Sequence, residues 1–220
     1  MKRFLPFIIV SVVALGAVIG ATMLYRAKRP VALTIPESRA ATDNSAMRMR
    51  GNPKAPVTLE EYGDYECPPC GKLAEPLKEL EHQYGDKLRV VFHHYPLVVH
   101  AHSKDAAYAA EAAALQGKFW EMHDLLYREQ AVWTKATDVP TLFAGYAGLL
   151  GLNVERFKKD VAGDEVKTRV ASEQRDASKI GVTGTPTLFV NNHAVAITTG
   201  DTANLRAAID AALPVKIDNH

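Results

Sequence analysis

The chain has 220 residues, 47% of them hydrophobic and 23% charged, with two cysteines and a formal net charge of +1. That length supports one medium domain with appendages, and two cysteines exclude both a disulfide-rich scaffold and a zinc module built on four cysteines. Five basic groups and no acid fall within residues 1–29, so the remainder holds 21 Lys+Arg against 25 Asp+Glu; a body at −4 argues against nucleic acid as a partner.

After Lys2 and Arg3 no charge occurs from Phe4 to Tyr25, and charge returns at Arg26, Lys28 and Arg29. As a helix, these 22 residues would reach about 33 Å, enough to cross a bilayer core of about 30 Å. Residues 1–29 therefore read as a signal anchor with an N-terminal transmembrane helix over 4–25. The alternative is a cleaved signal peptide, whose apolar region is normally shorter, at about 7–15 residues. A buried core helix is disfavoured because the segment is apolar on every face. The basic flanks are nearly balanced and do not fix the orientation. Either reading sends the chain into an export pathway.

Residues 30–55 read as a linker, broken by Pro30, Pro36 and Pro53. The folded domain is expected over 56–213, with 214–220 as a tail. Val57 to Tyr62 alternates, which predicts a strand with Val57, Leu59 and Glu61 on one face. A helix follows Cys67-Pro68-Pro69-Cys70 and runs to about Tyr84, with Leu73, Leu77 and Leu80 on one side, a kink expected at Pro76 and a stop at Gly85. Leu88 to Phe92 reads as a buried strand. Helical patterns then run from Ser103, a candidate cap, to about Ile180. Thr187–Val190 and His193–Thr198 read as a hairpin around Asn191-Asn192, and Asp201–Leu213 as a closing helix. The fold class is α/β: β-α-β, a helical block of about 96–180, then β-β-α. The first two strands can be parallel neighbours, and the last two can only be antiparallel.

The chemistry lies in the cysteines. Cys67 and Cys70 sit at a strand-to-helix junction, where a spacing of three brings the sulfurs within bonding reach. Cys67 at the helix N-terminus meets free N–H groups and the positive end of the dipole, which favour the thiolate, the attacking species. Pro68 suits the first helical position. Cys70, one turn in, is placed to resolve a mixed disulfide. The competing readings are a structural bridge, weakened by the small loop it would close, and half of a metal site. The latter gives the alternative function, a metal-handling module using Cys67, Cys70 and a histidine.

Further residues place the domain in a family. Gly63-Asp64-Tyr65-Glu66-Cys67-Pro68-Pro69-Cys70, Phe92-His93-His94-Tyr95-Pro96-Leu97, Ala109-Ala110-Glu111-Ala112-Ala113, Gly117 to His123 and Gly181 to Thr187 together resemble the DsbA-like branch of thioredoxin-fold thiol–disulfide oxidoreductases. The resemblance covers about 56–213 and implies a thioredoxin-like fold with an inserted helical domain. It implies a protein thiol–disulfide oxidoreductase working through a Cys67–Cys70 redox disulfide, with no other cofactor and no metal. Pro186 matches the family's cis proline that faces the two cysteines, which would turn the Thr185 backbone toward the sulfurs to pair with an extended substrate segment. An ordinary strand-start proline is the bland alternative.

Glu61 resembles the family's buried acid and would accept the Cys70 proton; an exposed strand glutamate is the alternative. The implied partners are cysteine-containing exported proteins and an unidentified redox partner, with membrane contact through residues 4–25. The domain would lie on the extracytoplasmic side of the cell membrane, or be periplasmic or secreted if residues 1–29 are cleaved. His93 and His94 should point to opposite faces of their strand, so hydrogen-bonded or solvated histidines are favoured over metal ligands. Phe119, Trp120, Leu125 and Leu126 read as helical-domain core. Pro68 and Pro69 lack N–H donors, and Glu61, Asp64 and Glu66 oppose negative charge. Cys67 is therefore expected to be less acidic, and the disulfide less oxidising, than in relatives with a histidine between the cysteines.

Overall fold

Residues 47–197 and 201–214 are described by the computed structural model. Strand β1 (Met49–Gly51) precedes β2 (Val57–Gly63), helix α1 (Pro68–Tyr84), a 3-10 turn (Gly85–Lys87) and β3 (Leu88–His94). A helical block follows: α2 (Ser103–Ala114), α3 (Phe119–Arg128), α4 (Gln130–Trp133), α5 (Val139–Leu149), α6 (Val154–Ala162) and α7 (Asp164–Lys179). Strands β4 (Thr187–Val190) and β5 (His193–Val195) and helix α8 (Ala203–Ala212) complete the chain order.

The five strands form one sheet in the order β1-β3-β2-β4-β5. β2 and β3 are parallel, as two strands joined through a helix can be, whereas β4 pairs antiparallel with both β2 and β5. Alternation in β2 decides which residue meets which layer. Val57 and Leu59 pack with Leu73, Leu77 and Leu80 of α1 and with Leu205 and Ile209 of α8. Tyr62, facing the other way, packs with Phe189, Val182 and Ala177 of α7. Glu61 shares the α1 face, so the pattern in the sequence puts a carboxylate under the helix that carries the cysteines. Full burial of each of the three α1 leucines is worth about 1.5–3 kcal/mol, which fixes that helix against the sheet.

Three expectations are corrected. Residues 49–51, inside the stretch read as linker, form β1, which pairs antiparallel with β3. Three residues with no alternation give no strand signal, and the edge is recruited by its partner. Ser103 does not cap α2: its side chain is buried and its hydroxyl donates to the Leu97 carbonyl at 3.1 Å, while His102 occupies the cap position. The last hairpin strand ends at Val195, shorter than expected. Helix α1 runs through Pro76 as a single helix. The apolar segment 4–25 lies outside the described residues, and no described helix is long and apolar enough to cross a membrane.

Candidate active site

Strand β2 ends at Gly63 and the chain turns through Asp64-Tyr65-Glu66 into α1. Cys67 is the cap residue: its backbone is extended (φ −70°, ψ 117°) and its carbonyl accepts the first helical bond from Gly71 N at 3.1 Å. Pro68 and Pro69 follow at the two positions where a helix needs no N–H partner. Both cysteines are free thiols; Cys67 is 5% exposed and Cys70 fully covered. The Thr185–Pro186 peptide bond is cis, as the resemblance implies, and the Thr185 carbonyl oxygen lies 3.4 Å from Cys67 Sγ. Cys67, Cys70, Thr185 and Pro186 therefore meet at one end of the sheet. Glu61 is buried two residues before the end of the same central strand.

The two sulfurs are electrostatically unequal. Cys67 is lowered to about 6, chiefly by the hydrogen bond it receives from the Cys70 thiol. Burial opposes this, while the Thr185 hydroxyl and the Cys70 backbone N–H add to it. The Thr185 hydroxyl is buried with no hydrogen-bond partner among the described residues, Cys67 included, so it acts on the thiolate less than the Cys70 thiol does. Asp64 acts in the opposite direction. The two N–H groups lost to Pro68 and Pro69 are thus partly replaced by the thiol and the backbone N–H of Cys70. Cys70 is pushed well above the ordinary thiol range by burial first, then by the bond to Cys67 and by the charge of Glu61. Glu61 is raised to about 8, mainly by burial and next by Glu81, with Arg50 pulling the other way. At neutral pH the arrangement holds one thiolate at the edge, one thiol behind it, and a carboxyl group beneath that titrates near neutrality.

Contacts that the sequence pattern does not show hold the turn in place. The Asp64 carboxylate accepts from Glu66 N and Leu97 N, both at 2.8 Å, and from His100 Nδ1 at 2.7 Å. Glu66 accepts from His102 N at 2.6 Å, so the loop after β3 is fastened to the turn before Cys67. Val98 and Val99 on that loop are 88% and 80% exposed. From the helical block, Gln130 Nε2 donates to the Tyr65 carbonyl at 2.6 Å and the Cys67 carbonyl at 3.0 Å. Gly71 makes room for it, since a Cβ there would lie 2.4 Å from Gln130 Oε1. A glycine directly after Cys70 was the one local signal of that contact. Nothing local identifies Gln130.

His93 and His94 do point to opposite faces. His93 stacks on Tyr62 and bonds Glu60 at 2.9 Å, and His94 donates to Glu111 at 2.9 Å. Phe119, Leu125 and Leu126 are core, while Trp120 sits at its edge with the Arg50 guanidinium 4.2 Å above its ring. Among the described residues, the group of His, Cys, Asp and Glu side chains close enough to share an ion is His94, Glu111 and Glu173. Its carboxylates are already engaged by Arg48 and Arg169. The grouping that the metal-handling alternative requires, both cysteines with a histidine, does not assemble there.

A family model described as thioredoxin matches residues 43–211. A thioredoxin-like oxidoreductase from Silicibacter pomeroyi is 27% identical, with a TM-score of 0.62 over 78% of this chain and 98% of that one. The alpha-DsbA1 of Wolbachia pipientis superimposes with a TM-score of 0.67 at 21% identity, covering 80% of this chain and 94% of that one. The chain belongs to the thioredoxin family. Its fold, a thioredoxin-like sheet with a helical block between β3 and β4, is of the DsbA-like kind.

A curated relative, a Na(+)/H(+) antiporter NhaA 1 of Mycolicibacterium gilvum, is 41% identical over 148 residues, 65% of this chain. The match spans 23% of the antiporter, so the chain corresponds to about a quarter of the length of such relatives.

Proposed function

We propose that this chain is a thiol–disulfide oxidoreductase that exchanges disulfides with exported proteins through Cys67 and Cys70. The observation that carries the reading is the inequality of the two sulfurs at a helix cap, with the thiolate-favouring one against Thr185 and the other enclosed behind it. In the reducing direction, the Cys67 thiolate attacks a client disulfide, and one client sulfur leaves as a thiolate. Cys70 then gives its proton to the ionised form of Glu61 and attacks Cys67 Sγ. The Cys67–Cys70 bond forms, the bond to the client breaks, and the second client sulfur leaves with the electron pair. The client disulfide is reduced by two electrons and the cysteine pair is oxidised; the oxidising direction reverses each step. Thr185 offers its backbone to an extended client segment beside the sulfur, and Pro186 shapes that approach.

The working disulfide is the whole redox equipment of this proposal, and a second redox partner must restore its starting state. The site of action is extracytoplasmic, with the domain anchored by residues 4–25 or released after cleavage of residues 1–29. Sodium–proton exchange is not carried over from the antiporters, because the matched portion is a minor part of their length and the cysteine site accounts for the chemistry here.

Cys70→Ala is the direct test. It leaves Cys67 able to attack but removes the resolving sulfur, so disulfide-linked client adducts on Cys67 are expected to accumulate in cells. Non-reducing electrophoresis with mass spectrometry reads them. Adducts no more abundant than in the wild type would contradict the exchange mechanism.

A further inference from the structure

We propose that Tyr127 is a positioning residue of the resolving half of the site, its hydroxyl donating a hydrogen bond to the single negative charge that passes between Glu61 and Cys70. The inference rests on the exchange reading above and extends it to a residue of the helical block. Tyr127 lies near the end of α3 and reaches back to β2: a Cβ at Gly63 would sit 2.9 Å from its hydroxyl and 2.4 Å from the Phe92 ring. Gly63 is two residues from Glu61, so both project on the face of β2 that α1 covers. Cys70, one turn into α1, shares its core cluster with Tyr127. Three elements thus bring a thiol, a carboxyl group and a phenol to the same patch of strand, and the missing side chain at Gly63 is what admits the phenol.

Two of these groups are unmatched. Glu61 Oε1 and the Tyr127 hydroxyl are both buried without a hydrogen-bond partner among the described residues. Nearly all buried polar groups in folded proteins are paired, so two orphans flanking a group that must change charge point to a role in that change. They are complementary: a carboxylate only accepts, and a phenol below its pKa can donate. Burial first, then the charges of Cys70 and Glu61, push Tyr127 well above the ordinary phenol range, so it keeps its proton throughout the pH range of exchange.

The other charged or titratable groups around this patch are identifiable. Tyr65 and Asp64 lie in the turn after β2 and also act on Tyr127, and His123 stacks edge-on against it within α3. Glu81 of α1, Arg50 of β1 and Cys67 act on Glu61. His123 is held to about 3, mainly by burial, and stays neutral in the same range. Tyr65 is closer to His123, at 3.3 Å from its Nδ1, and is thereby occupied. Tyr127, whose charge neighbours are Cys70 and Glu61, keeps a free donor among the described residues.

When the Cys70 proton moves to Glu61, the negative charge moves from oxygen to sulfur inside the core. A donor positioned by α3 lowers the cost of that charge at either end, as hydrogen bonds to ions are stronger than those to neutral groups. Tyr127→Phe keeps the ring and removes only the donor. The assay is single-turnover mixing of the reduced protein with glutathione disulfide. It separates formation of the Cys67–glutathione disulfide from its resolution by Cys70. Resolution is expected to slow by about tenfold, more than formation does, and its pH profile to shift to higher pH. Incorporation of 3,5-difluorotyrosine at position 127, a near-isosteric and stronger donor, is expected to shift the profile the other way. A folded phenylalanine variant with unchanged resolution rate and profile would overturn the role of Tyr127 alone. A difluorotyrosine protein with an unshifted profile does the same should the phenylalanine variant not fold. Failure of the wild type to form any glutathione adduct on Cys67 would instead overturn the exchange reading and this inference with it.

Discussion

Serine in place of Cys67 is expected to lower insulin disulfide reduction by about a thousandfold or more, to the rate of buffer thiols alone, while leaving the fold intact. The nucleophile is the whole of the first step. A hydroxyl at the same cap has no accessible anion near neutral pH, and Cys70 cannot substitute because it is fully covered and its thiol is pushed well above the ordinary range. The substitution exchanges one small group for another at a residue whose backbone already satisfies its hydrogen bonds, so the melting temperature is expected to move by no more than a few degrees. Comparison of thermal unfolding with turnover checks both halves. Residual activity within tenfold of the wild type would place the nucleophile elsewhere.

The second large effect concerns stability and lies behind the site. Glu111 of α2 accepts from Arg48 Nη1 at 2.7 Å, from His94 Nε2 at 2.9 Å and from Arg169 Nη1 at 3.0 Å. Glu173 of α7 holds the other side of Arg48 and accepts from His94 N at 2.9 Å. This network joins the segment leading into β1 to β3, α2 and α7. Glu111→Ala would leave Arg48 and His94 short of a partner in a dry interior, which typically costs about 3–5 kcal/mol. In a domain whose total stability is of the order of 5–15 kcal/mol, that is a large fraction.

The pH dependence has a definite sign. The Glu111 carboxyl is held down to about 2, against burial, by the His94 bond first and then by Arg48 and Arg169. A folded-state pKa below the unfolded value gives stability that is complete above about pH 4.5 and is lost as the pH falls from there toward 2. The shift is worth about 3 kcal/mol. Urea unfolding at stepped pH values is expected to show that slope in the wild type and much less of it in Glu111→Ala. An equal slope in both proteins would assign acid lability to other carboxylates.

These two effects differ in how far the sequence revealed them. The cysteine site was legible because its logic is local: a strand pattern that puts Glu61 on the covered face, a cap position at Cys67, and a proline before β4. The parallel and hairpin pairings followed from connection lengths alone. Other features were hidden by distance along the chain. Arg48 and Arg50 sit in a proline-broken polar stretch that reads as linker. What they do is set by Glu111, Glu173, Glu81 and Asp124, all brought in by the fold. Gln130 and Tyr127 come from helices whose pattern announces only core and surface. The expectation that Cys67 is less acidic than in relatives with a histidine between the cysteines counted the donors lost to Pro68 and Pro69 but not the thiol and N–H of Cys70, which offset part of that loss.

The inequality of the two sulfurs is open to direct measurement. The reduced protein is exposed to iodoacetamide at stepped pH, and the alkylated peptides are resolved by mass. Cys67 is expected to label with a midpoint near pH 6, to the exclusion of Cys70, which stays unlabelled until far more alkaline conditions. Labelling of Cys70 first, or of both cysteines together near the ordinary thiol midpoint, would contradict a poised nucleophile at the cap of α1.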